Sequence, residues 1–276
     1  MRFQTKNGVL IAQANGETLR IEPWGKDSLR VRATMLPEFS GKDWALTEVP
    51  EKTEAKAEQF EVDHLEIDGS MRKRTSASIT NGKIRAVVNF AGVITFYKEE
   101  QEILREYHRC YDGTISKESR CLKTVNREWK GVIGGSEYSL NLKFESNDEE
   151  KIFGMGQYQQ KYMDLKGCTL ELAQRNSQIS VPFAVSSLGY GMLWNNPAVG
   201  QVTFGKNYTE WTARSTKQMD YWITAGDTPD EIEQAYGRAV GTTPMMPEYG
   251  LGFWQCKLRY WNQEQLLFFA RKYHEK

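Results

Sequence analysis

Residues 77–98 read ASITNGKIRAVVNFAGVITFYK, and this stretch decides the fold class. It divides into short apolar or β-branched runs at 77–80, 83–89 and 93–98, parted by Asn81-Gly82 and Ala91-Gly92. Gly and Asn tolerate the positive φ that tight hairpin turns require, so the pattern predicts an antiparallel meander. Residues 103–108 are expected to pair onto it. Upstream the same grammar recurs: runs at 9–14, 18–23 and 29–34 are separated by Asn15-Gly16 and Gly25-Lys26-Asp27. Asn15-Gly16 between two such runs is a strong hairpin signal. Residues 48–61 are charged and Ala-rich, and are expected to form an exposed connection or a ragged sheet edge. Helical periodicity is nearly absent up to about residue 225. Many short strands punctuated this way make an antiparallel β-sandwich.

Composition narrows the function classes. The chain has 276 residues, with 36 Lys plus Arg balanced by 36 Asp plus Glu. Zero formal charge argues against a dedicated nucleic-acid binder, which needs a basic face to neutralise phosphates. Aromatics are abundant, at 8 Trp, 13 Tyr and 12 Phe. They serve either as core filling or as platforms for the apolar faces of sugars. The opening MRFQTKNG holds no apolar run of signal-peptide type, and no stretch approaches the ~18 apolar residues of a membrane helix. Cys110, Cys121, Cys168 and Cys256 form no Cys-x-x-Cys pair and read as free thiols. His64, His108 and His274 show no ligand spacing, so no metal site is expected. Cytoplasmic residence is the expectation.

The pattern changes near residue 227. Thr228-Pro229-Asp230-Glu231 predicts a helix start, with Thr as N-cap, Pro at the first helical position and Glu completing a capping box. Ile232, Ala235, Tyr236 and Ala239 share a face, and Gly241 ends the helix. Residues 243–247, TPMMP, read as an extended linker. Residues 249–256, YGLGFWQC, form a continuous apolar run expected as a buried parallel strand. Asn262 then caps a helix with Gln265 at its third position. The expected organisation is a β-sandwich over residues 1–226, a connecting helix and Pro-rich linker over 227–248, and one opening βα unit over 249–276. A closed (β/α)8 barrel needs roughly 200 residues, so the chain is expected to be truncated, or its last unit to dock on the sandwich or a partner.

Five segments in order resemble glycoside hydrolase family 31, the family of α-glucosidases and α-xylosidases. They are FGMGQ at 153–157, QRNSQ at 174–178, VPFAVSSLGYGMLWNNP at 181–197, DYWITAGDTP at 220–229 and GLGFWQCKLRY at 250–260. The first 150 residues match by architecture alone, a galactose-mutarotase-like sandwich. The details lean towards α-xylosidases. The resemblance implies that residues 174–178 rim a sugar pocket and that residues 250–256 are the first barrel strand.

Arg175, Asn176 and Gln178 carry donors and acceptors suited to vicinal hydroxyls; a plain solvated loop is the alternative. Asn176 stands where many family members carry Asp, which removes a charge there but not hydrogen bonding. Lys257, Leu258 and Arg259 follow the apolar run, at the strand end where barrel enzymes contact substrate; solvent-facing charges before a helix are the alternative. Trp254 and Trp261 are further stacking candidates, Trp254 with packing as the stronger reading. Retaining hydrolysis uses two carboxyl groups ~5 Å apart, one nucleophile and one acid/base. The resemblance puts them on later barrel strands, so no catalytic residue is assigned here. Asp227, Asp230 and Glu231 are accounted for by helix-start chemistry. No cofactor is implied. The expected partners are an oligosaccharide substrate and a further copy of the chain or the remaining barrel. Neither nucleic acid nor membrane is expected. A non-catalytic carbohydrate-binding or assembly module is the competing expectation.

Overall fold

The computed structural model describes residues 1–47, 53–66, 69–109 and 124–276. The chain divides into two compact units, Met1–Gly241 and Thr242–Lys276.

The larger unit is antiparallel throughout. Its eight-stranded sheet runs β1 (Arg2–Lys6), β2 (Val9–Ala14), β3 (Glu17–Pro23), β4 (Ser28–Thr34), β18 (Met219–Ala225), β15 (Tyr190–Trp194), β14 (Ile179–Ser186), β12 (Ile152–Gln157). A five-stranded sheet runs β10 (Arg127–Gly131), β11 (Tyr138–Glu145), β17 (Tyr208–Thr216), β16 (Gly200–Phe204), β13 (Thr169–Leu172). A second one follows chain order: β5 (Lys56–Leu65), β6 (Met71–Asn81), β7 (Ile84–Val88), β8 (Ile94–Lys98), β9 (Gln101–Arg105). An isolated bridge, Glu106 to Phe144, joins the two smaller sheets.

The expected hairpins form where the Asn-Gly pairs stand. Asn15 and Gly16 have φ of 52° and 83° between β2 and β3. Residues 48–52 lie outside the described residues, but 56–65 form the edge strand β5, mostly exposed. A strand wet on both faces needs no apolar alternation, which is why its sequence reads as a ragged edge. Cys110 and Cys121 also lie outside the described residues; Cys168 and Cys256 are free thiols.

All three sheets feed one core that includes Leu10, Ile21, Ile79, Phe96, Phe144, Trp194, Trp211 and Tyr221. The strand β18 is buried on both faces. Met219, Tyr221, Ile223 and Ala225 point into the sandwich, while Trp222 points outward to a second cluster with Phe183, Leu193 and Leu46. The helix α1 (Pro229–Val240) covers that outer cluster with Ile232, Ala235 and Ala239. Thr228 caps it, its hydroxyl accepting from the Glu231 amide at 3.2 Å, and Gly241 ends it at φ 97°. The Glu231 carboxylate returns to the amide of Asp227 rather than Thr228.

The smaller unit corrects one expectation. Residues 249–256 do not form a strand: Glu248–Leu251 is a 3-10 turn, and no ladder follows before α2 (Gln263–Glu275). Strand geometry is held by neighbours on both hydrogen-bonding edges, and no strand pairs with these residues within the described chain. The Trp254 indole instead donates to the carbonyl of Gly250 at 2.9 Å. The helix behaves as expected, with Asn262 accepting from the Gln265 amide at 2.9 Å.

Candidate functional site

The segment between β13 and β14 crosses from the five-stranded to the eight-stranded sheet, so its loop forms an arch at one end of the sandwich. Its footing is a distortion in β12. Gly154, Met155 and Gly156 all have positive φ (94°, 69° and 90°), and the β12–β14 register shifts between Gly154 and Gly156. A Cβ on Gly154 would lie 2.6 Å from the Phe183 carbonyl oxygen, and one on Gly156 would strike the backbone of Ile179 and Val181. These glycines therefore permit both the bulge and the close approach. Just beyond, the Tyr158 hydroxyl reaches the Glu171 carbonyl at 2.7 Å and the Ser180 hydroxyl at 2.8 Å, fastening β12 to both feet of the arch.

The arch is rigid at its base. The Gln174 side chain donates to the Ser180 carbonyl (2.8 Å) and accepts from the Ser180 amide (3.1 Å), imitating a rung of sheet. Above it, Gln178 N donates to the Arg175 carbonyl at 3.1 Å, and Ser177 takes a φ of 68°.

Arg175, Asn176 and Gln178 thus share one turn. The Arg175 fork grips Glu171, Nε to Oε2 at 3.0 Å and Nη2 to Oε1 at 2.8 Å, in an exposed ion pair. That hydrogen bond holds the Glu171 carboxyl below its usual range. Asn176 and Gln178 carry no side-chain hydrogen bond among the described residues. Lys257, Leu258 and Arg259 belong to the smaller unit. The Lys257 ammonium sits 4.6 Å over the Phe269 ring, the Arg259 guanidinium 4.6 Å over Trp261, and Leu258 is exposed. Each cation rests on an aromatic face of its own segment. Asp220, Asp227 and Glu231 are engaged elsewhere, Asp220 by Arg30 and the other two by Lys83.

Beside the arch lies a cleft of about 700 Å³, whose lining includes Gln174, Arg175, Asn195, Arg214, Trp44 and Tyr236. A second cleft of about 370 Å³ adjoins it and shares Trp44 and Asn195. Both volumes suit small organic ligands. Trp44 escaped the sequence reading because the short stretch GKDWAL around it lacks the periodicity that marks strands or helices.

No family model matches the sequence. The chain is 48% identical over 269 residues to an uncharacterised family 31 glucosidase of Pseudescherichia vulneris, covering 94% of this chain and 48% of the relative. It is 30% identical over 285 residues to α-xylosidase A of Aspergillus niger, covering 99% of this chain and 37% of the relative. Among solved structures, a family 31 α-xylosidase from a soil metagenome, complexed with xylose, superposes with a TM-score of 0.83 at 49% identity, over 100% of this chain and 40% of that one. These relatives are glycosidases. The chain belongs to glycoside hydrolase family 31, whose N-terminal β domain it matches in fold, and it spans about half or less of the length of these relatives.

Proposed function

We propose that the chain is the front part of a retaining α-glycosidase that releases α-linked xylose or glucose from the non-reducing end of oligosaccharides. The observation that carries this reading is the near-complete alignment of the chain, at 48–49% identity, with a family 31 glucosidase and an α-xylosidase crystallised with xylose. In this reading the 174–178 arch rims the sugar pocket, with Asn176 and Gln178 offering free amides to hydroxyls. Arg175 would have to leave or share Glu171 to join them. Lys257, Leu258 and Arg259 contact substrate in this reading once residues 249–256 are taken up as the first strand of a (β/α)8 barrel, after the connecting segment 227–248. The protein works in the cytoplasm, in line with cysteines that form no paired pattern, and assembles as a homo-oligomer.

The 276-residue polypeptide by itself is inactive in this reading. Its nearest acidic cluster is committed to structure, since Asp220 is buried against Arg30 and Asp227 and Glu231 hold Lys83. Retaining hydrolysis needs two free carboxyl groups flanking the glycosidic bond. Chromogenic α-xyloside and α-glucoside assays test both halves. The 276-residue chain should give no turnover, and a product extended along its coding sequence should hydrolyse at least one substrate. Turnover by the short chain overturns the inactivity; none by an extended, folded product overturns the activity.

A second reading, a carbohydrate-binding module without catalysis, is favoured by one observation: both clefts lie wholly within the larger unit. Saccharide binding by a monomeric chain whose extended product is inert would select it. Light scattering reports the oligomeric state in the same experiment.

A further inference from the structure

Trp44 is a bulky residue in the left-handed region, at φ 54°, where side chains other than Gly are seldom found. Its turn is overdetermined from below. Asn195, buried, accepts from the Ala45 amide at 3.1 Å and donates to the Asp43 carbonyl at 3.0 Å. The Asp43 carboxylate receives Arg30 Nη1 at 2.6 Å, and Arg30 is itself anchored by Asp220 in the sheet. Leu46 is sunk in the cluster beneath α1, and Thr47 N donates to the Ala239 carbonyl at 2.8 Å. All this anchoring ends in an indole that is 53% exposed and forms part of the wall of both clefts. Burial of the ring does not account for it. A strained conformation held by surrounding structure is a mark of a functional position.

The polar groups around the indole include both donors and an acceptor. Arg214, without a side-chain hydrogen bond among the described residues, lines the larger cleft, and Lys42, Lys217 and Glu137 line the smaller. An aromatic face bordered by side-chain donors and acceptors matches a pyranose, which offers a patch of C–H groups ringed by hydroxyls. We propose that Trp44 is the stacking platform of an oligosaccharide-binding site on the β-sandwich, with the chain of sugars running across the indole from one cleft into the other. The choice of sugar as ligand rests on the family 31 reading; the preformed platform does not.

The test is calorimetric titration of the 276-residue chain with a gluco-oligosaccharide bearing α-linked xylose, and with maltotriose. The wild type should bind at least one of them. Trp44→Gly removes the ring while suiting the backbone, so it should fold with unchanged or higher thermal stability and bind at least about tenfold more weakly, the equivalent of 1.4 kcal/mol. Trp44→Phe should stay within about threefold of wild type. Wild-type affinity in folded Trp44→Gly, or no saccharide binding by the wild type at all, overturns the platform. Neither result bears on glycosidase activity, which the extended product's turnover decides separately.

Discussion

The guanidinium of Arg30 and the carboxylate of Asp220 face one another inside the outer layer of the eight-stranded sheet, Nε to Oδ1 at 3.0 Å and Nη2 to Oδ2 at 2.6 Å, each side chain 1% exposed. Burial pushes the Asp220 carboxyl up, and Arg30 pulls it back. The pair ties β4 to β18 and, through Asp43, carries the Trp44 turn.

Removing Asp220 leaves the buried Arg30 guanidinium with the half-exposed Asp43 carboxylate as its remaining counter-charge. Asp220→Asn is expected to cost about 3–5 kcal/mol, read as a lowered urea midpoint. Replacing both partners, Arg30→Met with Asp220→Leu, should recover much of that loss. Equal losses in the single and double variants would show that the pair is not what holds these strands.

The β12 bulge is the next point of failure. Gly156→Ala combines a φ of 90° with backbone collisions at Ile179 and Val181, and should lower stability by at least about 2 kcal/mol. The matching substitution at Gly237, a helical glycine with open space around it, should be neutral or stabilising. Chemical denaturation of the two variants side by side tests the contrast.

Acid sensitivity follows from the start of α1. The hydrogen bond from Lys83, at 2.5 Å, holds the Asp227 carboxyl down, and the Asp227 amide followed by Lys83 does the same for Glu231. Folded values below unfolded ones give stability that is present above about pH 4 and lost as pH falls through the folded values. The melting temperature should therefore drop as pH is taken below about 4, and Lys83→Gln should flatten that drop. Half-molar salt should act in the same direction, because the groups are at the surface. The raised Asp220 value contributes with the opposite sign, and comparing Lys83→Gln with wild type removes it.

Gln174 can be checked locally. Gln174→Ala deletes both bonds to Ser180, and should cost about 1 kcal/mol. The Ser180 amide, now without its acceptor, should exchange with deuterium markedly faster, while the Leu193 amide in β15 should be unaffected. Unchanged Ser180 protection would mean that the arch does not depend on the clamp.

Much of the fold could be read from the chain because its signals are local. Asn15-Gly16 and Asn81-Gly82 need φ values that other residues resist, so they mark hairpins wherever they occur. The capped helix at Thr228 was legible for the same reason. Strand β5 was harder, because Glu58, Glu61 and Asp63 stand on an edge where water rather than packing chooses the residue. Residues 249–256 misled in the other direction: a strand is defined by its neighbours, and an apolar run states only that it would accept them. Of the candidate site, QRNSQ was legible as a polar loop between strands, but the Arg175–Glu171 grip required a four-residue offset across the end of β13 to be seen in three dimensions. Trp44 was invisible because its placement depends on Asn195, which binds the next residue, Ala45, from 150 positions later in the chain.

The pairing of β4 with β18 spans about 190 positions of sequence. On the ribosome, at ~5–20 residues per second, β4 waits on the order of ten to forty seconds for its neighbour to emerge. During that time the nascent β1–β4 sheet carries an open edge beside which Arg30 and Arg32 stand. Positive charge beside an unfinished edge discourages pairing with other nascent chains, and Arg30 occupies that position until Asp220, its partner in the finished sheet, has been made.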